Sequence, residues 1–172
     1  MFVVKPEDLP EHNNILDVNF ENLIEKYKIF QDLQFICEKE KGIGISAVQA
    51  GLPIKLFLIK GDGTCPLIKN NEYACFVNCE YEPLDNSKNI VTIEGCLSLK
   101  NKDGKIRHFK VERHSVVRVH GYQFLFDKKL EFVKISENLN FDQQGVVFQH
   151  EIDHQMGKDG LISKKGQEIF IW

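Results

Sequence analysis

His150-Glu151-Ile152-Asp153-His154 sets two histidines four residues apart. On a helix that spacing stacks both imidazoles on one face, where they can hold one metal ion between them. Glu151 stands beside them, close enough to handle a proton on a water activated by such an ion. Val146 and Val147 lie one turn earlier and share the face of His150. They wall it with apolar surface, which lowers the local dielectric and strengthens a metal's pull on water. Two surface histidines on a polar helix are the bland alternative, and that reading leaves Glu151 and the apolar run unexplained.

A pair of histidines leaves the third protein ligand open, and Cys96 in Glu94-Gly95-Cys96-Leu97-Ser98 is the best candidate for it. A lone cysteine is more often a buried hydrophobe than a ligand; its company in that segment is what reverses the reading. Neutral imidazoles suit Fe²⁺, Ni²⁺, Co²⁺ or Zn²⁺, and a thiolate adds softness. Three protein ligands leave a fourth position for water, the layout of a catalytic site and not of a closed structural one. Together these residues indicate a metal-dependent hydrolase.

Gly42-Ile43-Gly44-Ile45-Ser46-Ala47-Val48-Gln49 is the third element. Its glycines permit close backbone approach to a ligand or a second strand. Gln49 reads either as a solvent-facing amide or as an N–H donor aimed at an oxyanion.

Around these segments the chain is ordinary. Its 172 residues fit one domain, residues 1–172, long enough to bury a core without disulfide staples. Apolar content of 42% and charged content of 27% are those of a globular protein, and a net charge of −3 gives no case for binding nucleic acid or an anionic membrane. Five cysteines, an odd number without framework spacing, suit a reducing compartment. Cys75 and Cys79 read as core or surface thiols, because no second pair completes a zinc site. No segment approaches the ~20 apolar residues that cross a bilayer, and the amino terminus has no basic leader before an apolar run. A cytoplasmic protein is the expectation.

Leu23, Ile24, Tyr27, Phe30, Leu33 and Ile36 recur at helical spacing and predict a helix over 19–40, stopped by Gly42 and Gly44. Strands are expected at Leu56–Ile59, Tyr73–Asn78, Ile90–Ile93 and Ser115–His120, with a hairpin of Tyr122–Phe126 and Leu130–Ile135. Lys100–Lys105 reads as a solvated loop. A second helix should start near Asn140 to Asp142 and run to Gly157, and a short strand over Glu168–Trp172 closes the chain. Clustered strands make this α+β.

The three segments together resemble peptide deformylase, whose motifs run GφGφAAxQ, EGCLS and HExxH in the same order. The resemblance spans roughly Lys41 to Gly157 and implies mostly antiparallel sheets wrapped around a central HExxH helix. It implies Cys96, His150 and His154 as metal ligands and Glu151 as general acid/base, with the side chain of Gln49 and the N–H of Leu97 binding the oxyanion. Gly44 would pair with the peptide backbone, and Ile43, Val146, Val147 and His150 would line the methionine pocket. Arg113 matches a family arginine of structural character, paired with Glu94 or Asp153. The cofactor implied is one divalent ion, Fe²⁺ in the cell, with Ni²⁺, Co²⁺ or Zn²⁺ able to substitute. The partners implied are N-formyl-methionyl nascent peptides and the ribosome near its exit tunnel, with the protein a monomer.

The chain departs from the pattern in five places, one of them an amino-terminal segment that only loosely resembles the family's opening. Ser46 replaces an alanine, Leu99-Lys100 stands where a proline is usual, and Lys100–Phe109 is longer and richer in lysine. Little follows the metal helix of the tail that helps some members dock on the ribosome. Two rival readings remain at this level. One is an HExxH peptidase cutting internal bonds, which has no use for Glu94 to Ser98. The other is a weak or inactive relative that binds metal or peptide, which would be marked by loss of a ligand or of Glu151.

Overall fold

Leu56-Phe57-Leu58-Ile59 is apolar at every position, and both of its faces are covered. The computed structural model describes residues 1–169 and places these four in β2 (Leu56–Lys60), the second strand of a five-stranded antiparallel sheet. The other strands are β1 (Gly44–Ser46), β3 (Tyr73–Pro83), β6 (Val116–Leu125) and β7 (Glu131–Asn140), in the order β1-β2-β3-β6-β7. Alternate residues take opposite faces. Leu56 and Leu58 join Phe30, Leu33, Ile36 and Cys37 of α1 (Leu23–Lys39), while Phe57 and Ile59 join Phe148 and Ile152 of α2 (Gly145–Asp153). The sheet is therefore packed between two helices. A second antiparallel sheet holds β4 (Asn89–Lys100), β5 (Ile106–His114) and β8 (Gln167–Ile169) in the order β4-β5-β8. The fold is α+β, as the strand clustering predicts.

The four sides of α2 explain its central position. Phe148 and Ile152 face the first sheet, where Phe148 meets Phe57 and Phe76 edge-on with ring centroids 5.9 and 4.8 Å apart. One step around the helix, Gln149 clamps the second sheet: its Nε2 donates to the His114 carbonyl at 2.9 Å and its Oε1 accepts from the His114 N–H at 3.0 Å. Asp153 shares that side. His150 and His154 take the next, and Glu151 the last.

Several boundaries differ from expectation. The first helix is not stopped by glycine: Lys41 itself takes the left-handed conformation (φ 56°), with Gly42 N–H to Cys37 O and Lys41 N–H to Glu38 O completing a Schellman stop. Ile24, counted in the buried stripe, is exposed. Asn140 caps only a short 3₁₀ turn, Phe141–Gln143; Gln144 then turns left-handed and α2 starts at Gly145. After Asp153 the chain tightens to 3₁₀ geometry over His154–Met156. The segments predicted at Ser115–His120 and Tyr122–Phe126 merge into one strand, β6 (Val116–Leu125), which turns into β7 as the predicted hairpin. β5 was not anticipated. Leu99-Lys100, standing where a proline is usual, continues β4, and Lys100 aligns with Ile106 of β5. Only Asn101–Lys105 forms the exposed lysine-rich turn. All five cysteines are buried and free. Of the closing strand predicted to Trp172, residues 170–172 lie outside the described residues.

Gly121 lets β6 follow the bulge of β3 between Val77 and Glu80. Its φ is 150°, and a Cβ there would lie 2.7 Å from Cys79 Cα and 2.8 Å from the Asn78 carbonyl oxygen. Gly121→Ala is expected to cost about 2–3 kcal/mol. That corresponds to a melting temperature lowered by roughly 5–10 °C, read by circular dichroism.

Candidate metal centre and active-site cleft

β4 leaves the ladder with β5 after Gly95: the next aligned pair is Lys100 with Ile106. The excursion turns Cys96 inward, towards the histidine face of α2. The ligand atoms of Cys96, His150 and His154 lie within 4.8 Å of one another, with Cys96 Sγ 3.6 Å from His154 Nε2. Bonds of about 2.3 Å to sulfur and 2.0–2.1 Å to nitrogen, set at a tetrahedral angle, span about 3.6 Å. The donor set and its spacing fit one ion of the imidazole- and thiolate-binding class.

The two histidines sit in different electrostatic surroundings. Burial disfavours the cation on His150, yet the Cys96 thiol and the Glu94 carboxylate beside it raise its pKa to about 10. Burial, and then the charge of His150, hold His154 well below the ordinary histidine value. His154 Nδ1 is buried without a partner among the described residues, whereas His150 Nδ1 lies 2.8 Å from Glu94 Oε2. That contact sets the tautomer and leaves Nε2 for the ion.

Glu94 is itself held on three sides. Arg113 Nε and Nη2 each donate to it at 2.8 Å, and Thr92 Oγ1 donates at 2.6 Å. Desolvation alone would raise the Glu94 pKa; the Arg113 fork and His150 outweigh it and hold the carboxyl far below the usual range. Arg113 Nη1 reaches Asp153 as well, so the alternative partners predicted from sequence are both used. Asp153 also accepts from Tyr81 Oη at 3.1 Å and pairs with Lys165 at 2.8 Å. Tyr81, Thr92 and Lys165 were not anticipated. A carboxylate next to a candidate ligand in both motifs was the available signal that a buried cation network lay behind them.

Glu151 is buried, and its Oε2 has no partner among the described residues. Burial pushes its pKa up to about 7, with the His150 charge opposing and Glu94 reinforcing. A carboxyl near neutrality can both take and give a proton. It fits because Gly44 has no side chain: a Cβ there would lie 2.5 Å from Glu151 Oε1.

Gln49 is not a solvent-facing amide. Ser46 and Gln49 form a capping box on the 3₁₀ turn Ala47–Ala50, with Ser46 N–H donating to Gln49 Oε1 at 2.9 Å. The amide is thereby oriented, and Nε2 points to Ser98 Oγ at 3.2 Å and Cys96 Sγ at 3.4 Å. Ser98 was not singled out from sequence. The Ser46 hydroxyl itself lies 3.4 Å from the Leu56 carbonyl, to which it donates.

These groups open on a cleft of about 500 Å³. Gly42 to Gly44 and Thr92 to Leu97 line it on two sides, with Val146, Val147 and His150 from α2. Ile43 is exposed at its rim. Ile106, His108, Phe141 and Lys41 also line it and were not predicted. β1 is an edge strand, and Lys60 N–H bonds to the Ile43 carbonyl at 2.8 Å. Hydrogen-bonded and non-bonded pairs alternate in an antiparallel ladder. Gly44, opposite Ile59, is therefore a non-bonded position whose N–H and C=O point away from β2 into the cleft.

A family model described as polypeptide deformylase matches residues 12–162. The peptide deformylase of Malacoplasma penetrans is 33% identical over 160 residues, covering 86% of this chain and 78% of that protein. That of Karelsulcia muelleri is 29% identical over 145 residues, covering 78% and 67%. Among solved structures, Plasmodium falciparum peptide deformylase superposes with a TM-score of 0.71 at 25% identity, covering 96% of this chain and 86% of that one.

Proposed function

The chain belongs to the polypeptide deformylase family, and from that membership we propose the roles of its site residues. The protein is a metal-dependent hydrolase that removes the N-formyl group from the initiator methionine of nascent polypeptides and releases formate. The observation that carries the residue assignment is the convergence of Cys96, His150 and His154 beside the buried, half-unpartnered carboxylate of Glu151. With the three candidate ligands and Glu151 all present, the inactive-relative reading loses its support. The internal-peptidase reading has no role for the Cys96 segment.

Cys96, His150 and His154 hold the ion; in the cell we take it to be Fe²⁺, with Ni²⁺, Co²⁺ or Zn²⁺ able to replace it. A divalent ion held by that triad would supply Lewis acidity, making water acidic enough to give up a proton near neutrality. Glu151 accepts the proton released as water attacks the formyl carbon, and then delivers a proton to the departing amine nitrogen. Gln49 Nε2 and the Leu97 N–H donate to the oxygen that gains negative charge, each worth on the order of 3 kcal/mol. Gly44 pairs through its outward N–H and C=O with the substrate backbone, as an added strand does. Ile43, Val146, Val147 and the His150 ring receive the methionine side chain.

We read residues 1–172 as one catalytic domain working as a cytoplasmic monomer on chains leaving the ribosome exit tunnel. No helix among the described residues is long and apolar enough to cross a membrane. The decisive experiment is formate release from a formyl-Met-Ala-Ser peptide by protein loaded anaerobically with Fe²⁺ or Ni²⁺. Release that disappears on chelation and returns with metal is expected. Fully metallated, folded protein that releases no formate would refute the assignment.

A further inference from the structure

Beyond the methionine pocket, the β1 side of the cleft reaches the surface in one direction along the chain. Gly44 lies against Glu151, and the residues after it, Ile45 to Gln49, are buried. The residues before it, Lys41 to Ile43, line the cleft and reach its surface. A peptide whose formyl end meets Glu151 therefore leaves past Ile43, Gly42 and Lys41, antiparallel to β1. At about 3.3 Å per residue, Lys41 stands two to three residues out from the formyl-methionine.

The charges around that exit are uneven. Two acidic residues line the cleft, Glu94 and Glu151. Glu94 is paired with Arg113, and Glu151 is buried at the reaction centre. The neighbouring Glu40, at the end of α1, is engaged with Lys100 at the end of β4. Lys41 is exposed and makes no ion pair among the described residues. It is thus the cleft-lining full charge that faces solvent, with the His108 ring on the opposite wall beside Gly95.

Its backbone adds a second observation. Five non-glycine residues among those described have positive φ, and three of them are asparagines, which tolerate that region. Lys41 occupies the helix-stop position where glycine is the least strained choice. Here a lysine stands in that conformation at the mouth of a ligand cleft, where such strain is commonly found.

We propose that Lys41 sets the substrate preference beyond formyl-methionine, selecting peptides with an acidic side chain at the third or fourth position. The proposal rests on the deformylase reading above. An exposed charge pair of this kind shifts rates about twofold to fivefold and weakens with salt.

The test is kcat/KM for formate release from formyl-methionyl tetrapeptides differing only in Glu or Lys at the third or fourth position, using Ni²⁺-loaded wild type, Lys41→Gly and Lys41→Glu. Wild type should favour the Glu peptides about threefold to fivefold at low salt, and less at high salt. The ratio should fall to near one in Lys41→Gly and invert in Lys41→Glu. Lys41→Gly relieves the backbone strain, so its thermal melt should match or exceed wild type and exclude misfolding. Formate release with equal rates in wild type, or a ratio unchanged in Lys41→Glu, would overturn this inference and leave the deformylase reading standing. No formate from any peptide would overturn both.

Discussion

Glu151→Gln is expected to lower turnover by about 10²- to 10⁴-fold while leaving the metal content unchanged. Glutamine has the shape of glutamate, so the space opened by Gly44 stays filled and the helix keeps its packing. What the amide lacks is the ability to take a proton and return it. Glu151 is not one of the three groups whose ligand atoms converge, so the ion should remain. Metal per protein by elemental analysis and kcat for the formyl-Met-Ala-Ser peptide give the two readings independently. A rate near wild type would remove Glu151 from proton transfer. Loss of metal in parallel with rate would make it part of the ion's support.

The metal helix was legible because its chemistry is local: His150, His154 and the apolar residues one turn earlier are set by helical period alone. The strand β5 was not, and the reason lies in Arg113. Its inward residues are Phe109, Val111 and Arg113, so the buried face ends on a charge and the alternation of apolar with polar is broken. Only the partners Glu94 and Asp153, distant in sequence, make that charge tolerable inside. The start of α2 was misplaced for a related reason. Asn140 offers good capping chemistry, but it spends that chemistry on one 3₁₀ turn before Gln144 reverses the chain. Of the candidate site, the three candidate ligands and Glu151 were readable as motifs, whereas Gln49 read equally as a solvent-facing amide until the Ser46 capping box placed it inside. Lys41, Ile106, His108 and Phe141 reach the cleft only through the meeting of elements far apart in the chain. No local pattern marks them.

Arg113→Met should be the most destabilising single substitution near the site. Arg113, Glu94 and Asp153 are 3%, 8% and 5% exposed. Removing the guanidinium strands two carboxylates in the interior, which costs about 3–5 kcal/mol. For a chain of this length that is a melting temperature lower by roughly 8–15 °C. Asp153 keeps Tyr81 and Lys165, and Glu94 keeps Thr92 and His150; Glu94 loses two Arg113 hydrogen bonds and Asp153 one, so the larger share of the loss should fall on Glu94. Glu94 in turn orients His150, and loss of such a partner weakens metal binding by about 10- to 100-fold. The two effects can be separated. Combining Arg113→Met with Glu94→Leu and Asp153→Leu leaves no stranded charge, and apolar replacement of a buried ion network is often neutral or stabilising. The triple variant should therefore melt closer to wild type, yet still bind Ni²⁺ weakly, because His150 Nδ1 has lost its carboxylate. Recovery of both stability and affinity would mean that the network only balances charge. Recovery of stability alone would assign Glu94, held by Arg113, the positioning of the histidine ligand.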